Sequence, residues 1–214
     1  EIAFEDVTFD YDGGARALDR VSFTIPRGQK VALVGLSGGG KTTITNLLLR
    51  FYEPTEGRVT LDGEDIRDFK QRAWRKHLGL VLQDIHLFPG SLMDNLRVMR
   101  DEIPKEAMDR ALSVVQAEDM VAKLPNGYET ELSEGGANLS MGERQLLCFA
   151  RAIVDDPELL ILDEATSSVD PATERRLQES LDHLLEGRTS LIVAHRLATI
   201  TRVDRILVMH EGRL

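Results

Sequence analysis

The chain has 214 residues, of which 42% are apolar and 29% charged, with a formal net charge of −10. This length suits one domain able to bury its own core, and the composition excludes a disordered chain. The acidic balance counts against a protein whose main task is gripping nucleic-acid phosphates, and a single cysteine, Cys148, excludes internal disulfides and multi-cysteine metal sites.

Taken in chain order, Ile2–Phe9 alternates partly and Val21-Ser-Phe-Thr-Ile25 alternates well, so both are expected to be strands. Pro26-Arg-Gly28 marks a turn, and Lys30–Val34 is a short apolar strand running straight into a glycine-rich loop. The apolar stretch from Val31 to Leu36 is far below the roughly 20 residues of a membrane-spanning helix, and no secretory signal opens the sequence at Glu1. The lack of an initiator methionine leads to the expectation that Glu1 is a cut end. Residues 42–51 place Ile44, Leu47, Leu48 and Phe51 at helical spacing. Arg58–Leu61 returns to strand, Asp62-Gly63 is a turn, and Leu78–Leu82 is another apolar strand.

From about 84 to 155 strand runs are missing and helices are expected. Pro104–Glu118 sets Ala107, Met108, Ala111, Leu112 and Val115 on one face, and Ser140–Val154 does the same with Leu146, Leu147, Ala150 and Ile153. Cys148 lies in that second apolar face and reads as an inert buried thiol. Two buried-type strands follow, Leu159–Leu162 and Ser190–Ala194, separated by a helix from Asp170-Pro171 to Gly187. Arg205–Met209 is a last strand, and Glu211-Gly-Arg213 is a hairpin turn. Strands alternating with helices predict an α/β fold with a mostly parallel sheet. The expected organisation is an antiparallel β lobe (about 1–30 and 57–66), a core built on the parallel sheet (31–83 and 156–214) and an inserted α-helical lobe (about 84–155).

Gly35-Leu-Ser-Gly-Gly-Gly-Lys41-Thr42 fits the phosphate-binding pattern G-x-x-x-x-G-K-[ST], between a predicted strand and a predicted helix. Glycines allow backbone N–H groups to turn inward around a polyphosphate, and the helix N-terminus adds partial positive charge. The cradle is assigned to Gly35, Ser37, Gly38, Gly39, Gly40, Lys41, Thr42 and Thr43, with Lys41 neutralising the β- and γ-phosphates and the Thr42 hydroxyl on Mg2+. Leu159-Leu-Ile-Leu-Asp163-Glu164 is an apolar strand ending in two acids at the ligand edge expected of an open α/β sheet. Asp163 suits the Mg2+ shell and Glu164 suits a general base toward water. A guanine-reading N-K-x-D motif is missing, since the asparagines are Asn46, Asn95, Asn126 and Asn138, which favours ATP.

Asn138-Leu-Ser-Met-Gly-Glu-Arg-Gln145 opens a helix with an S-x-x-E capping box at Ser140 and Glu143, and such a capped N-terminus is also a phosphate site. Leu-Ser-Met-Gly-Glu-Arg-Gln resembles the signature motif of ATP-binding cassette (ABC) ATPases, usually Leu-Ser-Gly-Gly-Gln, and it lies between the two phosphate motifs as in that family. The resemblance spans essentially the whole chain. It implies a P-loop NTPase (RecA-like) core binding ATP and Mg2+. Tyr11 resembles the aromatic residue that stacks on adenine, and Gln83 the Q-loop residue contacting Mg2+ and water. Ser167-Ser-Val-Asp170 resembles the D-loop, with Asp170 equally a helix N-cap. His195, after the strand Ser190–Ala194, resembles the switch histidine reaching the γ-phosphate. Ser140, Gly142 and Glu143 would meet the nucleotide from a second domain.

Thr130-Glu-Leu-Ser-Glu-Gly-Gly136 resembles the X-loop of the exporter type, and Phe88 falls where such domains hold an apolar groove for a membrane partner. That likeness implies pairing with a second nucleotide-binding domain, a transmembrane domain fused N-terminally, a place on the cytoplasmic side of a membrane, and no nucleic-acid partner. Met141, Glu143 and Gly135 depart from the family pattern and leave a heterodimer with unequal sites open. A soluble ABC-type ATPase with a non-membrane partner, or a weakly hydrolysing nucleotide-gated switch, are the alternatives.

Overall fold

The computed structural model describes residues 1–12, 14–98, 100–163, 170–194 and 200–214. In chain order its strands and helices begin with β1 (Ile2–Tyr11), β2 (Ala15–Ile25), β3 (Lys30–Gly35), α1 (Lys41–Leu48), β4 (Glu56–Leu61), β5 (Glu64–Asp65), α2 (Gln71–Lys76) and β6 (Leu78–Val81). They continue with β7 (Gly90–Ser91), α3 (Leu92–Arg97), α4 (Lys105–Val114), α5 (Glu118–Lys123), β8 (Glu131–Leu132) and α6 (Met141–Ile153). The last are β9 (Leu159–Asp163), α7 (Pro171–Leu185), β10 (Thr189–Val193) and β11 (Arg205–Met209). The chain divides into two compact units. One comprises Glu1–Leu78, the β9 segment and Gly187–Leu214; the other comprises Gly79–Pro157 and the α7 segment.

The first unit holds two sheets. The antiparallel one has the order β2-β1-β4-β5. Alternation in β2 buries Val21, Phe23 and Ile25, and Phe23 stacks on its cross-strand partner Phe4 with ring centroids 4.6 Å apart. The second sheet runs β11-β3-β10-β9 in parallel, and Leu78 starts the edge strand β6 beyond β9. Its central strands are near-continuous aliphatic runs because both faces are covered: Val31, Leu33, Leu160, Ile161, Leu191 and Ile192 are all buried. Register sets Leu33, Val193 and Asp163 side by side on β3, β10 and β9, at the C-terminal edge of the sheet.

Helix α1 starts directly at the end of the glycine-rich loop and stops earlier than its apolar spacing predicts, because Arg50 takes positive φ (50°). Trp74 of α2, fully buried, donates its indole N–H to the Leu48 carbonyl at the C-terminus of α1 with 2.6 Å between heavy atoms. Trp74→Ala would both open a cavity and orphan that carbonyl. It is expected to lower the unfolding free energy by about 3–5 kcal/mol, measured as a shift in denaturant midpoint.

The second unit is helical. Leu146, Leu147, Ala150 and Ile153 of α6 and Leu177, Leu181 and Leu184 of α7 are buried, and α7 packs on α6 and α4. Helix α7, allotted on sequence to the ATPase core, therefore belongs with the helical unit by its apolar face. The helix expected over 104–118 is two helices. Gln116 adopts φ 56° and the Ala117 N–H returns to the Leu112 carbonyl, a C-terminal cap that ends α4 without a glycine. Two short strands inside this unit, β7 and β8, pair antiparallel and were not legible in the periodicity. Cys148 is buried, and burial pushes its thiol pKa up, so it is protonated at neutral pH.

Candidate nucleotide site

The phosphate loop closes β3 onto α1. Gly40 is the N-cap of α1 in the left-handed region (φ 102°), and no side chain caps the helix. A Cβ there would lie 2.8 Å from Leu18 Cδ2 and 2.9 Å from the Ala17 carbonyl oxygen, so both backbone conformation and space demand glycine. An uncapped α-helix start leaves N–H groups and the positive end of the dipole available to an anion. Lys41, only 6% exposed, donates its ammonium to the Gly35 and Leu36 carbonyls at 2.9 Å each. The cation is thus held at the loop by the loop's own backbone. Ser37, Gly38 and Thr42 are exposed, whereas Gly39, Gly40 and Thr43 are buried.

Tyr11, at the end of β1, shares a 3.2 Å hydrogen bond between its hydroxyl and that of Thr43. Its ring meets Phe9 and Tyr52 in T-shaped contacts, with centroids 4.8 and 5.3 Å away. The expected adenine-facing residue and the phosphate loop therefore meet within one unit. Tyr52 is an aromatic neighbour that the sequence reading missed; nothing in its spacing singled it out, since it lies past the end of α1.

Asp163 is half-buried at the C-terminal end of β9, the edge at which open parallel α/β sheets bind their ligands. Among the described residues no three His, Cys, Asp or Glu side chains gather into a metal cage. A donor set of one hydroxyl and one carboxylate suits Mg2+, which is bound through few protein ligands and keeps water and phosphate oxygens. The residues present fit a Mg2+–nucleotide. Glu164 and His195, the expected base and switch histidine, and residues 167–169 of the expected D-loop lie outside the described residues.

The remaining expected residues belong to the helical unit. Gln83 is exposed just after β6. Ser140 caps α6: its hydroxyl accepts from the Glu143 N–H at 3.3 Å, while the Glu143 carboxylate accepts from the Ser140 N–H at 2.8 Å. The capping box is thus complete, and the Glu143 carboxylate is tied back on its own helix. Gly142 is buried, with Thr173 of α7 so near that a Cβ would lie 2.7 Å from its methyl carbon. Asp170 caps α7 by accepting from the Ala172 and Thr173 N–H groups at 3.0 and 3.1 Å. Hydrogen bonding, chiefly from Thr173, holds its carboxyl below the usual carboxylate range. Where the exporter pattern has an arginine, Gly135 takes φ 63° and its carbonyl accepts from Arg144 at 3.3 Å. Phe88 is exposed, with the Arg151 guanidinium 5.8 Å from its ring centroid.

Known proteins resemble this chain over nearly its whole length. The sequence model of the family described as ABC transporter matches residues 18–167. An uncharacterized ABC transporter ATP-binding protein, YfiC of Bacillus subtilis, is 47% identical over 213 residues, covering 100% of this chain and 35% of that protein. An ATP-dependent lipid A-core flippase of Vibrio vulnificus is 44% identical, covering 99% of this chain and 37% of that protein. The chain thus spans little more than a third of the length of the curated relatives it matches. The solved structure of a bacterial Atm1-family ABC exporter with ATP bound superposes with a TM-score of 0.87 at 41% identity, over 100% of this chain and 37% of that one. With a phosphate loop that turns at Gly40, a parallel sheet ending in Asp163, and relatives that align over at least 99% of this chain, the chain belongs to the ABC transporter family and has its P-loop NTPase fold.

Proposed function

We propose that the chain is the ATP-hydrolysing part of an exporter. It binds Mg2+–ATP and pairs head to tail with a second such domain, so that two nucleotides are enclosed between them. The observation that carries this reading is the uncapped α1 N-terminus with Lys41 folded onto the loop beside it. Gly35, Ser37, Gly38, Gly40 and the first turn of α1 supply donors to the phosphates, Gly39 keeps the loop turned through its N–H to the Leu36 carbonyl, and Tyr11 supplies the adenine face. Thr42, Asp163 and Gln83 would hold Mg2+, which neutralises charge on the β- and γ-phosphates when bound. Glu164 orients and deprotonates water, and His195 donates toward the γ-phosphate.

Ser140, Gly142 and the start of α6 present donors to the γ-phosphate on the partner domain's loop, with Asp170 at the same junction. These contacts exist only in the closed pair, so nucleotide binding favours closure and loss of the γ-phosphate favours opening. Gln83 and the exposed Phe88 pass the motion to a transmembrane domain, fused N-terminally, that sits in a membrane with this domain on the cytoplasmic face. Among the described residues no helix is long and apolar enough to cross a membrane.

Sedimentation of the chain with and without ATP tests this reading, because a chain that binds ATP yet never pairs overturns it. Glu143 sharpens the test. Glutamine keeps the capping box but removes a negative charge from a phosphate-facing helix start. Glu143→Gln is expected to tighten ATP-dependent pairing by about threefold, the effect of a surface charge at a helix N-terminus.

A further inference from the structure

The turn after β11 is a two-residue hairpin. The His210 N–H donates to the Arg213 carbonyl at 2.9 Å and the Arg213 N–H returns to the His210 carbonyl at 3.0 Å. Glu211 and Gly212 between them both have positive φ, 47° and 75°, as a type I′ turn requires. This turn touches the phosphate loop. The Gly212 N–H donates to the Gly39 carbonyl at 3.2 Å, and the Gly212 carbonyl accepts from the Asp19 N–H at 2.9 Å. One residue thus bridges β2 of the antiparallel sheet to the loop between β3 and α1. A Cβ at position 212 would lie 2.7 Å from the Ala17 carbonyl oxygen, so the bridge has room only for glycine. Arg213 clamps the turn to β2: its Nε donates to the Asp19 carboxylate at 2.8 Å, and its terminal nitrogen lies 2.6 Å from the same oxygen.

The consequence lies in a peptide plane. In a trans peptide the carbonyl of residue 39 and the N–H of residue 40 point in opposite directions. Holding the Gly39 carbonyl on Gly212 therefore fixes the direction of the Gly40 N–H, the last loop donor before α1. An anion-binding loop works by having such N–H groups aimed before the phosphate arrives, which avoids the cost of ordering them on binding. We propose that Gly212, held by the Asp19–Arg213 pair, is a positioning residue that pre-aims the phosphate loop through Gly39. The inference rests on the reading of that loop as a nucleotide site, and neither phosphate motif includes position 212.

The test uses Gly212→Ala, Arg213→Ala and Arg213→Lys in the whole chain. Amide hydrogen exchange is followed for residues 36–42 and for β9, and ATP affinity is measured by calorimetry in Mg2+. Arg213→Ala is expected to speed exchange in 36–42, leave β9 unchanged, and weaken ATP about fivefold, while Arg213→Lys restores both. Gly212→Ala is expected to weaken ATP by about tenfold or more; should it fail to fold, the Arg213 variants decide. Unchanged loop exchange, or unchanged affinity in a chain that binds ATP, or no rescue by lysine, overturns the proposal. If the wild-type chain binds no ATP, the nucleotide reading fails by itself. The exchange arm still decides whether residues 210–213 order the loop.

Discussion

Glu164→Gln is expected to slow ATP turnover by about 10²–10⁴ while leaving ATP affinity near that of the wild type. The reasoning is positional. β9 carries four buried aliphatic residues and ends at Asp163, and Glu164 is the next residue in the sequence. Glutamine preserves the shape of glutamate but cannot take a proton from water. With turnover slowed and binding kept, the ATP-bound pair should accumulate. Two measurements check this: single-turnover hydrolysis, and light scattering of the variant in ATP and Mg2+. Wild-type turnover would remove Glu164 from the role of base. A slow variant that stays single in ATP would leave a nucleotide pocket without the closing motion that transport needs.

Lys41→Ala is expected to raise the dissociation constant for ATP by about 10²-fold, since a hydrogen bond to a charged group is worth up to about 3 kcal/mol. Lys41 is nearly fully buried, and its ammonium rests on two loop carbonyls. It is therefore already placed and already partly desolvated before any phosphate binds. The Leu36 carbonyl keeps its second donor, the Gly39 N–H at 3.1 Å, when the lysine is removed. The fold should survive with a small loss of stability. Calorimetric titration with ATP, beside a denaturant melt, separates the two effects. An unchanged affinity in a folded variant would undo the assignment of the loop to phosphate.

Much of the architecture was legible because local patterns and tertiary demands agree. The phosphate loop lies where an aliphatic strand gives way to glycines and a lysine, and the strand before it and the start of the helix after it form where the pattern predicts. The start of α6 was equally plain, since an S-x-x-E box satisfies its own N–H groups without help from elsewhere. Capping, turn chemistry and burial of aliphatic runs are short-range physics, and they depend on a few adjacent side chains.

What spacing could not supply depended on partners distant along the chain. The break at Gln116 has no glycine or proline to announce it. The placement of α7 with the helical unit follows from which helices cover Leu177 and Leu181, and the T-shaped contact of Tyr52 with Tyr11 follows from where β1 ends. Gly212 is the clearest case. In the sequence it is one residue of an ordinary hairpin turn, and only the pairing of β11 with β3 brings it under Gly39. The sequence by itself determined the chemistry this protein carries, because phosphate binding needs particular residue types in one contiguous loop. Only the tertiary structure decided how that loop is held, because the backbone hydrogen bonds that hold it join segments more than 170 residues apart, and their pairing leaves no mark in local spacing or period.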